Sequence, residues 1–235
     1  MALPKLNTAR YSIDIPSTGE TVEFRPYLVK EEKILMMAME SNDQKAIMNA
    51  TKDIIGSCVF DDIDVNSLAM FDLETLFLAL RSKSVGEKID VKLICEHCET
   101  ANDLTIDFDE IDKPVVENEN INIQITDDVG MVMKYPSISD IDKYSTEGEE
   151  TIDTAMNMII ACIDSIYDAD NVYDAKDESE TSLRNFIDSL SSVQFLRLTE
   201  FLETMPALYY KIEYNCINCG KENTTELRGL SSFFT

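Results

Sequence analysis

The sequence predicts an α+β fold built from two similar halves, each a β-hairpin, a group of helices and a cysteine-bearing hairpin. Three observations predict it. Runs of alternating apolar and polar residues, the mark of half-buried strands, are interleaved with runs whose apolar residues recur every three or four positions, the mark of amphipathic helices. The order of these runs repeats, so that 1–112 and 121–235 follow one plan on either side of a polar connector at 113–120. Each half also carries a Cys-x-x-Cys turn, Cys95-Glu96-His97-Cys98 in the first and Cys216-Ile217-Asn218-Cys219 in the second. Identity between the halves is low, and the repeat is read from element order.

In the first half, Tyr11, Ile13 and Ile15 alternate with polar residues, and Pro16-Ser17-Thr18-Gly19 supplies turn chemistry. Val22 and Phe24 then alternate up to Pro26, completing a hairpin. A helix is expected over 30–39, with Glu31 and Glu32 in its first turn, where carboxylates suit the helix dipole. Asn42 or Asp43 caps a second helix with Ile47, Ala50, Ile54 and Cys58 on one face. After a break at 61–66, Asp72 is placed to cap a third, carrying Leu73, Leu76, Phe77 and Leu80, with Gly86 near its stop. Ile89, Val91 and Leu93 lead into the first cysteine turn, and Leu104, Ile106 and Phe108 lead out of it.

The second half starts with Ile121, Ile123 and Ile125 in alternation, a turn at Asp127-Asp128-Val129-Gly130, and Val132 in the place of Val22. Tyr135-Pro136 falls where Arg25-Pro26 fell. A long helix is expected over 149–166, its face made of Ile152, Met156, Ile159, Ile163 and Ile166, with Cys162 placed much as Cys58 is. The stretch 168–180 reads as an acidic, solvated insertion. Helical spacing resumes at Leu183, Phe186, Ile187 and Leu190 and again over 193–205, where Pro206 ends it. Ile212 and Tyr214 enter the second cysteine turn in the strand parity of Val91 and Leu93.

Two turns with two-residue spacing each present both sulfurs to one ion, and together Cys95, Cys98, Cys216 and Cys219 supply the full tetrahedral shell of a structural zinc site. The expectation is one zinc per chain, shared by the two halves near a pseudo-twofold axis. Iron in a rubredoxin-like cage fits the same four sulfurs, although nothing in the sequence suggests electron transfer. A redox reading needs a helix N-terminus beneath the first sulfur, whereas both pairs here lie between strands. Gly220 follows the second pair, as a tight knuckle prefers. Glu99 follows the first, a departure at a position of demanding geometry. His97, the one histidine, reads as an exposed knuckle residue rather than a ligand.

Composition narrows the function. The chain has 45 acidic and 20 basic residues in 235, a formal net charge of −25. General nucleic-acid binding needs cations to displace counterions from phosphates, and anionic lipid needs the same, so no nucleic-acid or membrane partner is expected. With one histidine, His-based triads and open His-rich metal sites are excluded, and four thiolates leave zinc no position for a water. Seven glycines, scattered, form no phosphate cradle, so no small-molecule substrate or enzymatic activity is expected. No apolar leader or membrane-length run occurs, which points to the reducing cytosol and to metal ligands rather than disulfides.

Three other features carry weaker signals. Asp168, Asp170 and Asp174 imitate a calcium loop, but Tyr173 stands where the loop needs glycine and Val172 where it needs a ligand. Met36, Met37 and Met39 read first as core packing and second as an adaptable binding face. Phe233 and Phe234 read equally as a docking peptide or a clasp.

The opening Leu3-Pro4-Lys5-Leu6-Asn7-Thr8, the hairpin Tyr11-Ser12-Ile13-Asp14-Ile15-Pro16-Ser17-Thr18-Gly19 and the run Phe24-Arg25-Pro26-Tyr27-Leu28-Val29-Lys30-Glu31-Glu32-Lys33 resemble the baseplate hub assembly proteins of T-even-type contractile-tailed bacteriophages. The likeness covers most of the chain and is strongest in the first 40 residues. It implies a late viral protein that helps build the central hub of the tail baseplate, as hub subunit or assembly chaperone. Its partners would be baseplate hub or tail proteins, and its location the host cytoplasm during virion assembly or the virion tail baseplate. The competing reading is a zinc-ribbon nucleic-acid-binding or transcription-associated regulator. Against it stand Glu96, Glu99, Asp103, Glu213 and Glu222 around the knuckles, opposed only by Lys92, Lys211 and Lys221.

Overall fold

The computed structural model describes residues 7–41, 43–116, 120–144, 152–229 and 232. It is mixed α+β, with ten strands and seven α-helices among the described residues. The chain falls into two units: Met1–Val65, Phe71–Val115 and Ala207–Thr235 form the first, Asn66–Met70 and Val116–Pro206 the second. This differs from the expected division into 1–112 and 121–235, because the last hairpin packs with the first unit.

In the first unit β1 (Tyr11–Asp14) and β2 (Thr21–Phe24) pair antiparallel, with Tyr11 opposite Phe24. Gly19 closes the turn at φ 69°, a left-handed conformation that glycine adopts freely. α1 (Val29–Glu40) starts where Glu31 reaches back to the Leu28 amide at 2.9 Å and pairs with Arg25 at 2.9 Å. Burial alone would raise the Glu31 pKa, but hydrogen bonds from Arg25, the Leu28 amide and Lys30 hold it at about 2. Leu35 and Ala38 face the core. Met36, Met37 and Met39 do not: they are exposed, Met37 at 71%, which corrects the core reading of the methionines.

α2 (Gln44–Cys58) is capped by Asp43, whose carboxylate accepts the Lys45 amide at 2.9 Å. The chain leaving α2 runs along β2, with the Arg25 amide on the Cys58 carbonyl at 3.0 Å and the Phe60 amide on that of Glu23 at 2.8 Å. α3 (Met70–Ser84) buries Leu73, Leu76, Phe77 and Leu80. It begins before Asp72, so that residue is not its cap. Asp72 is buried in the first turn and accepts the Ser17 amide at 2.9 Å, tying the hairpin turn to the helix. β3 (Lys88–Ile94) and β4 (Ala101–Asp107) follow as an antiparallel pair, β3 alternating strictly between exposed and buried.

In the second unit β5 (Asn120–Gln124) and β6 (Gly130–Lys134) lead to α4 (Ile138–Tyr144) and α5 (Ile152–Cys162). The helix expected over 149–166 stops at Cys162, and its first residues, 149–151, lie outside the described residues. Ile163–Tyr167 is instead a strand, β7, pairing with β6 and followed by β8 (Val172–Asp174), so the sheet order is β5-β6-β7-β8. Ile163, Ile166 and Tyr167 are residue types that favour strands, and beside an open strand edge they gain more from cross-strand pairing than from another helical turn. Gly130 is a strand residue, not part of the turn: a Cβ there would lie 2.2 Å from the Tyr167 hydroxyl. The Tyr167 side chain crosses over Gly130 and donates to Asn122 at 2.8 Å, linking three strands.

The supposed acidic insertion thus contains β8, and Asp168 accepts the Asp170 and Asn171 amides at 2.9 and 2.8 Å, spending its carboxylate on a turn. α6 (Glu180–Asp188) and α7 (Ser192–Glu203), the latter opened by a Ser191–Gln194 capping box, close the core over Met131, Met133, Ile159, Ile163, Leu198 and Phe201. The strap 66–70 joins this unit through the Ile138 amide on the Leu68 carbonyl at 2.9 Å.

The chain then returns to the first unit as β9 (Tyr209–Asn215) and β10 (Glu222–Arg228). Ile89, Val91, Leu93 and Ile106 from β3–β4 share one core with Ile212, Tyr214 and Leu227 from β9–β10. That burial is why the second cysteine turn groups with the first unit.

Candidate metal centre

The two cysteine turns have the same backbone. The Cys95 amide donates to the Thr100 carbonyl and the Glu99 amide to the Cys95 carbonyl, each at 2.9 Å. The Cys216 amide donates to the Lys221 carbonyl and the Gly220 amide to the Cys216 carbonyl, again at 2.9 Å. Both turns need a left-handed residue after the second cysteine: Gly220 has φ 70° and Glu99 φ 58°. Glutamate accepts this at a cost of about 1–2 kcal/mol, since its Cβ crowds the carbonyl. Amides two residues after the leading cysteines, those of His97 and Asn218, point at Cys95 Sγ and Cys216 Sγ at 3.4 Å.

The hairpins bring all four sulfurs together. Cys95 Sγ lies 3.8 Å from Cys219 Sγ and Cys98 Sγ 3.5 Å from Cys216 Sγ, and all four fall within 4.8 Å of one another. A metal–sulfur bond of about 2.3 Å gives a regular tetrahedron with edges of about 3.8 Å. The cluster therefore has the size of a four-thiolate metal shell and can hold a metal ion. All four are free thiols; Cys95 and Cys216 are buried and Cys219 is exposed. Hydrogen bonds from the Thr100 hydroxyl and amide pull Cys98 down to about 5. The Cys219 amide lowers Cys216. The Lys221 amide would lower Cys219 too, but desolvation and the crowding sulfurs of Cys98, Cys216 and Cys95 push it up to about 11. Like charges this close cannot all form without a cation to offset them.

Two residues that sequence reasoning missed hold the tips together. Asn102 Oδ1 accepts the Ile217 amide at 2.9 Å, and Asn223 Oδ1 accepts the Glu96 amide at 3.1 Å. Each asparagine thus binds the residue after the leading cysteine of the opposite turn, while its Nδ2 donates within its own hairpin, to the Thr100 carbonyl at 2.8 Å and to the Lys221 carbonyl at 2.9 Å. Both are nearly fully buried. The signal was present: each turn reads Cys-x-x-Cys-x-x-x-Asn, from Cys95 to Asn102 and from Cys216 to Asn223. The Asn218 side chain adds a further bond across the tips, to Thr100 Oγ1 at 3.2 Å.

The other singled-out side chains are not part of the sulfur cluster. His97 is exposed. Cys58 and Cys162 are buried, and burial raises their thiols to about 11 and about 12, the behaviour of inert core cysteines. Phe233 and Phe234 lie outside the described residues.

Comparison with known proteins adds the following. The profile of a family described as T4 bacteriophage base plate protein matches residues 8–235. A curated relative, the baseplate hub assembly protein gp26 of Enterobacteria phage T4, is 23% identical over 227 residues, covering 95% of this chain and 97% of the relative. No solved structure matches.

Proposed function

The chain belongs to the T4 bacteriophage base plate protein family, and on that premise we propose that it is a non-enzymatic baseplate hub assembly protein, held together by one structural zinc ion. It acts through contacts with other hub or tail proteins, as hub subunit or assembly chaperone, in the host cytoplasm and at the tail baseplate. The observation that carries this reading is the family match running from residue 8 to residue 235, through both cysteine turns.

Zinc is the ion the donor set favours: four cysteine sulfurs that fill a tetrahedral shell, without a histidine. Bound there, it would offset part of the thiolate charge and tie β3–β4 to β9–β10. In small domains such closure supplies about 10 kcal/mol, and less is expected where the hairpins already share a core. The knuckle surface favours protein partners over nucleic acid. Glu96, Glu99, Asp103, Glu213 and Glu222 are exposed there, and two of the three nearby lysines are taken up by Asp103 and Glu213.

A pseudo-repeat is supported by one further parallel. In the first unit the residue after Cys58 bridges to Phe24 of β2, and in the second the residue after Cys162 pairs with Met133 of β6.

The test is co-purification from infected cells, with metal analysis of the pure protein and mass spectrometry of virions. We expect about one zinc per chain and recovery of hub or tail components. Stoichiometric presence in virions would select the subunit, and absence from them the chaperone. Infections lacking the protein that still build normal tails would overturn the assembly role. A metal-free sample indifferent to chelator would overturn the zinc.

A further inference from the structure

The second unit has an apolar cleft that the assembly reading leaves unused. Its volume is about 330 Å³, and Val129, Ile166, Tyr173, Leu183 and Phe186 line it. Ile166 and Tyr173 are partners across β7 and β8, so their side chains leave the sheet on one face. α6 brings Leu183 and Phe186, three positions apart, to the same cleft. Core packing ends here: Ile166 and Leu183 are buried, Val129 and Phe186 are half-buried, and Tyr173 is 41% exposed. The hydroxyls of the wall are already engaged. That of Tyr167 donates to Asn122 at 2.8 Å, that of Tyr173 donates to Asp168 at 3.0 Å, and that of Ser182 lies 2.8 Å from the Ser179 hydroxyl. Little is left to orient a small polar ligand, and the cleft suits an apolar side chain.

The charge around it has one sign. Asp168 and Glu178 are the charged residues of the wall, and no base lines it among the described residues. Asp168 stays ionised, because the Asp170 and Asn171 amides and the Tyr173 hydroxyl hold its pKa below the ordinary carboxylate value. Glu178 is exposed, and its carboxylate makes no hydrogen bond or ion pair among the described residues. Asp127 and Asp128, both exposed, adjoin Val129 in the turn before β6. Residues 164–180 carry seven acids against one base, Lys176, which is taken up by Asp174 at 3.3 Å. Arg184, the next base along the chain, lies 3.6 Å from Glu180. The local excess of acid is therefore not offset from within.

We propose that this cleft receives a basic segment of another protein, which seats one large apolar side chain against Tyr173 and Phe186 and sets lysines or arginines beside Glu178 and Asp168. Burial of the apolar anchor supplies affinity, and the flanking charges supply approach rate and choice of partner. A second copy of this chain is disfavoured as occupant, since two bodies of charge −25 repel. The inference deepens the assembly reading, on which it rests for what the partner belongs to. Its test uses no baseplate protein, so either can fail alone.

The probe is a display library of random dodecapeptides selected on the full chain. The tightest binder is then synthesised, beside a copy whose apolar anchor is alanine and which keeps every charge. The expected winners carry one large apolar residue flanked by lysine or arginine. Losing the anchor should weaken binding about tenfold or more, which separates seating in the cleft from plain attraction to an acidic protein. Ser182→Trp, which fills the cleft from its exposed rim, should weaken it as much, and Glu178→Lys several-fold, with the loss through Glu178 shrinking at high salt. Methyl resonances of Val129, Ile166 and Leu183 should shift on binding, while those of Val91 and Leu93 in the first unit stay in place. If Ser182→Trp does not fold, Glu178→Lys and the methyl shifts decide. Winners that bind wild type, Ser182→Trp and Glu178→Lys equally, or that keep their affinity without the anchor, would overturn the proposal. So would acidic winners, an empty selection, or a dimer in sedimentation that Ser182→Trp abolishes.

Discussion

The two units build small antiparallel ladders in different ways. The second forms one four-stranded sheet from a nearly continuous stretch, with α5, α6 and α7 contributing to its core. The first forms three separate two-stranded hairpins from three stretches of chain. An isolated hairpin is marginal in water, because it orders many residues for few contacts. The second unit meets that cost with sheet width and a core. The first meets it with shared apolar faces on β3–β4 and β9–β10, and with a cluster of four sulfurs at their tips. The comparison teaches where each unit should be vulnerable.

The largest separation should come from the sulfurs. Chelation, or Cys216→Ser, should cost several kcal/mol in the first unit. Hydrogen exchange would report it: amides of β3, β4, β9 and β10 should lose protection while those of β6 and β7 keep theirs. Equal loss in both units would break the distinction. The reciprocal experiment is Gly130→Val, which drives a side chain into the space of Tyr167. It should destabilise the second unit by about 1–3 kcal/mol and leave metal content unchanged. The cost should shrink in a Tyr167→Ala background, as a double-mutant cycle would reveal.

Asn102→Ala or Asn223→Ala leaves an amide at the opposite tip without its acceptor. Each should cost about 1–3 kcal/mol, and metal affinity measured against a competing chelator should fall about 10–100-fold.

Glu31 gives a pH-shaped effect confined to the first unit. Its pKa is lowered from 4.5 to about 2, so its contribution is complete above 4.5 and is lost as pH falls toward 2. The stability difference between wild type and Glu31→Gln, measured in metal-free protein, should therefore narrow over that window. The smallest change should be a gain. Glu99→Gly relieves the left-handed strain at φ 58°, about 1–2 kcal/mol, against a backbone-entropy cost of about 0.5–1 kcal/mol for glycine, and should raise the melting point by an amount equivalent to about 0.5–1 kcal/mol, making the first knuckle behave like the second.

Local pattern made much of this legible. The β1–β2 hairpin, a cap at Asn42 or Asp43, the strict alternation of β3 and the exposed His97 follow from residue type and spacing within a few positions. The misreadings occur where local pattern admits two answers. Ile159 to Ile166 suits a helix face as well as a strand, and the choice went to β7 because β6 offered an unpaired edge. The methionines of α1 matched a core stripe, yet only Glu31, Leu35 and Ala38 of that helix are buried, and the methionines lie outside that narrow face.

From the amino-acid sequence alone came the α+β class, the family likeness and the four metal-ligand candidates, all set by short-range spacing and residue chemistry. Tertiary structure decided what those parts are joined to. It placed β9–β10 against β3–β4, and it turned Asn102 and Asn223 into acceptors for amides 115 and 127 residues away in the chain. Periodicity cannot encode such contacts, because each depends on two distant hairpins burying their apolar faces together before their polar tips can meet.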